Sequence, residues 1–233
     1  MTNIIILVKD RIRLTEQCLR TLYAYTPRKE FTLTVCNDSS NSATNRLLEG
    51  YVHQQDQIVH FLRPVGIVGF LRNVGIWTSE RVFGRGDYIC ACDNDLVFLP
   101  NWLETMTRAK ETPWSEREDS GTYSVLGGYR HPFHGINHVT HGERLRIEET
   151  DAVAGYMHFM TWATWDKFGP YDAHAKGVCQ SEDHALCQKI IANRGHVGYV
   201  DPPCIVNCGI TNSEGKPAVG SESFPRVPGI VYE

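Results

Sequence analysis

The sequence has no long hydrophobic run. The longest near the N-terminus, Ile4 to Val8, is far below the roughly 20 apolar residues that a membrane-spanning helix needs. It is also too short for a signal peptide, and no basic region precedes it. We therefore expect no integral membrane segment and a cytoplasmic location, with peripheral membrane contact left open.

The chain also has no excess of positive charge. Its 23 Lys and Arg against 27 Asp and Glu give a formal net charge of -4, which argues against a general nucleic-acid binder. A length of 233 residues is enough to bury one core. We expect one domain over residues 1–233, with a loop-rich C-terminal tail from about residue 209, where Gly, Ser and Pro dominate.

No two of the eight cysteines form a C-x-x-C pair, so a structural zinc site is not expected. Several lie inside apolar, strand-like segments, which favours free, buried thiols in a reducing compartment. The cysteines are Cys18, Cys36, Cys90, Cys92, Cys179, Cys187, Cys204 and Cys208.

Short apolar runs alternate with amphipathic segments through the first third of the chain. Strands are predicted at Asn3–Lys9, Phe31–Cys36 and Ile58–Leu62. Between them, a helix capped by Thr15 ends at Pro27, and a second helix covers about residues 42–52. This β-α-β-α-β order predicts a parallel sheet with right-handed crossovers.

The later elements are less regular. Further strands are predicted at 88–92, 123–129, 153–161, 197–200 and 204–208, and helices at about 102–110 and 182–193. The segment Trp162–Tyr171 is expected to be turn-like. A segment with four histidines (His131, His134, His138 and His141) contains Pro and Gly and is expected to be a loop or hairpin. Its spacing matches no compact zinc pattern.

The central stretch, Gly86 to Trp102, places Asp93, Asn94 and Asp95 directly after the apolar run Tyr88–Cys92. Open α/β sheets bind ligands just outside the carboxyl ends of their strands. Alternate residues of an extended segment point the same way, so Asp93 and Asp95 can face one site. Such a carboxylate pair suits a hard divalent cation and the phosphate oxygens it holds. The other interpretation is a polar loop with two solvated carboxylates.

A second acidic pair, Glu182 and Asp183, opens a predicted helix. Acidic residues in a first helical turn compensate the helix dipole. The alternative is catalytic, with one carboxylate accepting a proton from a hydroxyl nucleophile.

The order of these motifs resembles the GT-A fold glycosyltransferases of family 2, over roughly residues 3 to 210. The resemblance predicts an α/β, Rossmann-like and mostly parallel sheet flanked by helices. The motifs that carry it are Asn37-Asp38-Ser39-Ser40, Gly66, Arg72-Asn73-x-Gly75, Asp93-Asn94-Asp95 with Pro100-x-Trp102, Gly155 and Glu182-Asp183.

The resemblance implies a metal-dependent transfer of sugar from a nucleoside-diphosphate sugar, with a UDP-sugar expected, to an acceptor hydroxyl with inversion. Asp95 corresponds to the main ligand of Mn²⁺ or Mg²⁺, and Asp93 to a residue near the ribose or the metal. Asp183 corresponds to the catalytic base, with Glu182 beside it in acceptor binding. The positions expected to bind the nucleotide sugar are Val8, Asp10, Arg11, Asp38, Arg72, Asp93 and Asn94.

The sequence departs from that family where a histidine often serves as a further metal ligand. The matching segment is Val206-Asn207-Cys208-Gly209, so Asn207, a water or a distant histidine is left for that position. The acceptor is open among saccharide, lipid carrier, protein and modified nucleic-acid base. Two other functions stay open: an inactive sugar-nucleotide binding module, and a nucleotidyltransferase, which would release pyrophosphate.

Overall fold

The computed structural model describes residues 1–114, 121–132, 134–174, 182–209 and 229–232. The strands are β1 (Thr2–Val8), β2 (Phe31–Asn37), β3 (Gln57–His60), β4 (Tyr88–Asp93), β5 (Leu96–Phe98), β6 (Val125–Gly127), β7 (His138–Gly142), β8 (Leu145–Glu149), β9 (Met157–Thr161), β10 (Val197–Asp201) and β11 (Ile205–Asn207). The helices are α1 (Ile12–Tyr25), α2 (Ser42–Tyr51), α3 (Val68–Phe83), α4 (Trp102–Glu111), α5 (Trp162–Phe168) and α6 (Glu182–Ala192).

Nine strands form one sheet in the order β3-β2-β1-β4-β9-β6-β10-β8-β7. Its first four strands, here called the parallel half, all run in the same direction. Val8 of β1 lies opposite Asn37 of β2, and Leu7 lies opposite Asp93 of β4. The parallel pairing predicted from the sequence is confirmed, and three strands end together at one edge.

The other five strands, here called the mixed half, follow a different pattern. Strand β9 runs antiparallel to both β4 and β6, and β10 pairs parallel with β6 but antiparallel with β8. The histidine-rich segment contributes β7, which forms a hairpin with β8. The predicted hairpin is therefore present, while strand β8 itself was not predicted.

Two predicted elements need correction. Helix α1 begins at Ile12, not at Thr15, and Arg11 precedes it in a left-handed conformation. The segment expected to be turn-like contains helix α5, because the Thr161 side chain accepts a hydrogen bond from the Thr164 N–H and caps it. Helix α5 buries its aromatic side chains, Trp162, Trp165 and Phe168, in the core.

Several predicted boundaries are also shorter in the structure. The strand expected at 153–161 begins at Met157, and the one at 123–129 covers only Val125–Gly127. Helix α6 starts at Glu182 as predicted. None of the helices in the described parts of the chain has the length and apolar character that a bilayer span requires.

A small second sheet pairs β5 with β11 in antiparallel fashion. Ile230 and Tyr232 pack on a satellite cluster with Leu14 and Val97, beside this sheet. The predicted C-terminal tail otherwise lies at 210–228 and 233, outside the described residues. Seven cysteines are buried, as expected, and Cys179 lies outside the described residues.

Candidate active site

The loop after β1 is held in an uncommon backbone conformation. Asp10 and Arg11 have φ angles of 54° and 55°, a region that non-glycine residues rarely occupy. The Asp10 N–H donates to Ser40 Oγ at 2.9 Å, and its carboxylate accepts from the Asn41 N–H at 2.7 Å. The turn between β1 and α1 is therefore fixed by the loop that follows β2, as is typical of strained functional turns.

Asp38 is buried at the end of β2, and its carboxylate ties that strand to the loop before α3. Oδ1 accepts from the Val65 N–H at 2.6 Å, and Oδ2 accepts from the Gly66 N–H at 3.1 Å. Lys9 donates to the backbone carbonyl groups of Asp38 and Ser39 at 2.6 and 3.1 Å. The parallel half thus brings Val8, Asp10, Arg11 and Asp38 to one edge.

Asn94 separates the two carboxylates of the central stretch and is itself buried. Its amide donates to the Asp10 carbonyl at 3.2 Å and to Thr15 Oγ1 at 2.7 Å. These contacts join the end of β4 to the turn after β1. The nucleotide role expected for Asn94 stays a prediction.

Asp95 lies in a tight pocket with Arg11 and Gly209. Its Oδ2 accepts from Arg11 Nη1 at 2.8 Å, while Oδ1 is buried without a hydrogen-bond partner among the described residues. A Cβ on Gly209 would lie 2.0 Å from Asp95 Oδ2, so only glycine allows this approach. Burial and the neighbouring Asp93 raise the pKa of Asp95 to about 6. The unpartnered oxygen and the raised pKa both mark a carboxylate that a cation would stabilise.

Arg72 on α3 is almost fully buried, with 1% exposure. Nη1 donates to Glu182 Oε1 at 2.8 Å, and Nη2 donates to Asp93 Oδ1 at 3.1 Å and to the Gly155 carbonyl. Burial acts to lower the pKa of Arg72, but Asp93 and Glu182 raise it overall. The guanidinium therefore stays charged and connects β4 with the start of α6.

Asp183 follows Glu182 in the first turn of α6 and is partly exposed. Its Oδ2 accepts from the Gly155 N–H at 2.7 Å, and Oδ1 accepts from the His184 N–H at 2.7 Å. Burial acts to raise the pKa of Asp183, but His158, Arg72 and these two N–H groups lower it overall. Asp183 is thus ionised near neutral pH, as a proton acceptor must be.

Glu182 points inward, in contrast to Asp183. It is 6% exposed and forms an ion pair with Arg72. Burial raises the pKa of Glu182, and the Arg72 charge opposes that rise. Of the two carboxylates, Asp183 is the one that faces the cleft, so the acceptor contact expected for Glu182 remains a prediction.

Asn207 lies on β11 opposite Leu96 of β5, so it is near the central stretch. Its side-chain oxygen accepts from the Gly209 N–H at 2.9 Å. Over the described residues, no three His, Cys, Asp or Glu side chains are grouped to hold a metal ion. The metal ligands expected from the sequence are Asp95, Asp93 and Asn207, and that role stays a prediction.

The histidine-rich segment contributes to the mixed half of the cleft. His134 Nδ1 shares a hydrogen bond of 2.7 Å with the Tyr199 hydroxyl, which also accepts from the Ala154 N–H. Burial lowers the pKa of His134, so the ring is neutral near pH 7. The aromatic side chains of the segment that follows β9, Trp162, Trp165 and Tyr171, are buried in the core.

Three residues of the site were not singled out from the sequence. Gly209 meets Asp95, Lys9 holds the Asp38 loop, and His158 lies buried on β9 beside Tyr171. Their sequence signals were weak, because a glycine, a lysine and a histidine near strand ends are common. Only the fold brings them to the same edge.

Comparisons with known proteins agree with this geometry. The family model of "Glycosyl transferase family 2" matches residues 3–165. A search of curated protein sequences found no significant match.

Solved structures share the fold at low sequence identity. Residues 1–349 of TarS from S. aureus have a TM-score of 0.59 at 15% identity, over 85% of this chain and 57% of that one. GalNAc-T7, solved with UDP, GalNAc and Mn²⁺, has a TM-score of 0.63 at 16% identity, over 88% and 43%. The mannosyltransferase PcManGT from Pyrobaculum calidifontis, solved with GDP-Man and Mn²⁺, has a TM-score of 0.58 at 12% identity, over 85% and 56%.

These similarities establish the mostly parallel GT-A fold predicted from the sequence. The chain spans about half the length of the solved structures it matches.

Proposed function

The chain belongs to glycosyl transferase family 2, and on that premise we propose that it transfers a sugar from a nucleoside-diphosphate sugar to an acceptor hydroxyl. The donor we propose is a UDP-sugar, the reaction inverts the anomeric centre, and Mn²⁺ or Mg²⁺ assists it. The cytoplasmic location expected from the sequence stays a prediction.

The observation that carries this proposal is the convergence of two distant carboxylate motifs. Asp93 ends β4 and Asp183 is the second residue of α6, yet both lie around Arg72 and Gly155. A transferase needs negative groups at two places, one near the departing diphosphate and one at the acceptor hydroxyl. This arrangement supplies both within one cleft.

The donor side is formed by the edge of the parallel half. Asp38 and the left-handed turn at Asp10 and Arg11 form a backbone-rich surface suited to a base and ribose. A UDP-sugar is favoured because GalNAc-T7 was solved with UDP, and TarS with UDP and with UDP-GlcNAc. PcManGT was solved with GDP-Man, so a GDP-sugar is the donor to test beside it.

Asp95 and Asp93 fit a divalent cation. The buried Asp95 Oδ1 has no hydrogen-bond partner within the described parts of the chain, which is costly for a carboxylate without a cation. Asp95 would be the main ligand, with Asp93 and Asn207 supplying further oxygens. Carboxylate and amide oxygens are ligands that Mg²⁺ and Mn²⁺ accept. Such a cation, when bound, neutralises the charge that develops on the leaving diphosphate.

On the acceptor side, Asp183 is the base. Its backbone hydrogen bonds leave it ionised and partly exposed, so it can accept the proton of an incoming hydroxyl. That oxygen then attacks the anomeric carbon as the bond to the diphosphate breaks, which inverts the centre in one step. The acceptor would contact His134 on the mixed half. Its class is open among saccharide, lipid carrier, protein and nucleic-acid base.

The test is calorimetric titration of the folded protein with UDP, GDP, ADP and CDP, each with manganese and with chelator. We expect UDP to bind tightly only with manganese, and the cognate UDP-sugar then to release UDP on transfer. If no nucleotide binds, the donor site is wrong. Binding without transfer to any acceptor class would indicate an inactive binding module, and release of pyrophosphate would indicate a nucleotidyltransferase.

A further inference from the structure

Arg72 occupies a place that a nucleotide contact does not explain. It is 1% exposed, and both of its Nη groups already donate to protein oxygens. The Tyr171 ring lies beside it, with the ring centroid 5.4 Å from Cζ. A diphosphate that approached this guanidinium would compete with Asp93 and Glu182, which already accept from it.

We propose that Arg72 is a positioning residue, which sets the distance between the donor-side carboxylate Asp93 and the base Asp183 and does not touch the nucleotide. This inference rests on the proposed function. It differs from the direct nucleotide role that the resemblance implies for Arg72.

The connection from one side of the cleft to the other is short. Arg72 Nη2 holds Asp93 Oδ1 at 3.1 Å and also binds the Gly155 carbonyl. The N–H of the same Gly155 donates to Asp183 Oδ2 at 2.7 Å. One arginine and one glycine thus link the two carboxylates that the reaction needs.

Arg72 also fixes the start of α6 directly. Nη1 donates to Glu182 Oε1 at 2.8 Å, and Glu182 immediately precedes Asp183. Helix α6 is thereby anchored at its first residue to α3. A shift of Glu182 would move Asp183 with it, because the two share one helical turn.

Glycine is required at position 155 for this packing. A Cβ there would lie 2.9 Å from Arg72 Nη1, 3.0 Å from Nη2 and 3.2 Å from Asp183 Oδ2. Gly155→Ala would therefore push the arginine and the base apart without changing any charge.

Arginine suits this role and lysine does not. A planar guanidinium presents donors in two directions at once, whereas an ammonium is a single point charge on a flexible stem. Lysine at position 72 would keep the charge but could not hold Asp93, Glu182 and Gly155 together. Misplacement by about 1 Å is enough to cost roughly a hundredfold in rate.

The experiment compares Arg72→Lys, Glu182→Gln and the double variant. For Arg72→Lys we expect kcat to fall at least about a hundredfold, with donor KM and manganese-dependent UDP affinity within about threefold. The double variant should be no slower than Arg72→Lys alone, because both substitutions disrupt the same Arg72–Glu182 contact. Loss of UDP affinity by tenfold or more in Arg72→Lys, with Glu182→Gln unaffected, would overturn the proposal in favour of direct nucleotide contact.

Arg85→Lys is the matched control. Arg85 also pairs with two carboxylates, Glu80 and Asp166, and lies over the Trp162 ring at 4.8 Å. It is exposed and lies just before β4, at the end of that strand opposite Asp93, so kcat and UDP affinity should not change.

Gly155→Ala covers the case in which Arg72→Lys does not fold. It should lower kcat with little change in UDP affinity, and unchanged kcat would overturn the proposal.

Denaturant unfolding of the Arg72 and Glu182 variants tests the contact even if no acceptor is found. Additive losses of stability would overturn the link, whereas absence of transfer in the wild-type protein would count against the proposed function alone.

Discussion

The two halves of the sheet hold their polar groups in different ways. In the parallel half, the carboxylates of Asp10 and Asp38 are satisfied by backbone N–H groups of neighbouring loops. Around the junction with the mixed half, Asp93 and Glu182 are held by one buried guanidinium. Backbone contacts tolerate changes of side chain nearby, whereas a buried ion pair depends on each partner.

The difference extends to histidines. His53 and His60, near the end of the parallel half, are exposed, while His158 of the mixed half is fully buried. Its Nε2 lies 2.9 Å from the Val153 carbonyl and so donates to it, and its Nδ1 accepts from the Tyr171 hydroxyl at 2.9 Å. The neutral ring satisfies the hydrogen bonds of both neighbours, so protonation of His158 should destabilise the mixed half.

The largest effect is expected on the mixed side of the cleft. Asp183→Asn removes the proposed base while keeping the shape, and kcat should fall about a thousandfold. UDP binding with manganese should change less than about twofold, because the donor side is untouched. Steady-state kinetics and calorimetry measure the two quantities.

Asp166→Asn is the control for that change, since Asp166 is an exposed carboxylate on α5 paired with Arg85. It should retain full activity. If Asp183→Asn kept more than a tenth of the wild-type kcat, the base would have to be another residue.

We expect acid to lower the stability of the protein through His158 in the mixed half. Burial lowers the pKa of His158 from 6.5 to about 4, so between these values the unfolded chain binds a proton that the folded protein excludes. Stability should therefore fall as pH decreases through this window, by at most about 3 kcal/mol. Denaturant unfolding at pH 7 and pH 4 measures the loss.

His158→Gln keeps a donor and an acceptor but does not titrate, so its loss of stability between pH 7 and pH 4 should be smaller than that of the wild type. His141→Gln, at an exposed position on β7, should behave like the wild type. Equal pH dependence in His158→Gln and the wild type would show that other groups cause the acid sensitivity.

The smallest effect is expected on the donor side. Gly209→Ala would place a Cβ 2.0 Å from Asp95 Oδ2 and 3.1 Å from Arg11 Nη1. Displacing Asp95 should weaken manganese-dependent UDP binding about tenfold, or about 1.4 kcal/mol, as measured by calorimetry.

Gly50→Ala is the matched control, because a Cβ there has no neighbour within 4 Å. It lies in helix α2 and should leave UDP affinity unchanged while adding about 0.5–1 kcal/mol to the free energy of unfolding. Equal UDP affinity in Gly209→Ala and the wild type would show that Asp95 does not contribute to metal-dependent donor binding.

The parallel half was predictable because its signals are local. Each strand is a short apolar run, each crossover is an amphipathic helix, and parallel pairing follows from their alternation. Asp38 and Asp93 end strands of that half, so their edge followed from the same pattern. Helix α5 was not predicted because its aromatic segment was interpreted as a turn. Trp162 and Trp165 are nevertheless three residues apart, as on one helical face.

The mixed half was less predictable because its pairings are not local. Strand β6 lies between β9 and β10, an order that no spacing in the sequence specifies. The inward turn of Glu182 and the burial of Arg72 depend on where α3 and α6 meet. A charged residue in a helix is ordinarily exposed, so the burial of these two side chains was not predicted from the sequence.

The seven described thiols are all buried, so their reactivity reports when the core opens. Burial raises the pKa of Cys36, Cys187 and Cys204 to about 12, so the reactive thiolate is scarce in the folded state. A thiol-directed label would modify these positions only during excursions that expose the core. Cys36 lies in the parallel half and Cys187 on α6, so their labelling rates would time the opening of each region separately.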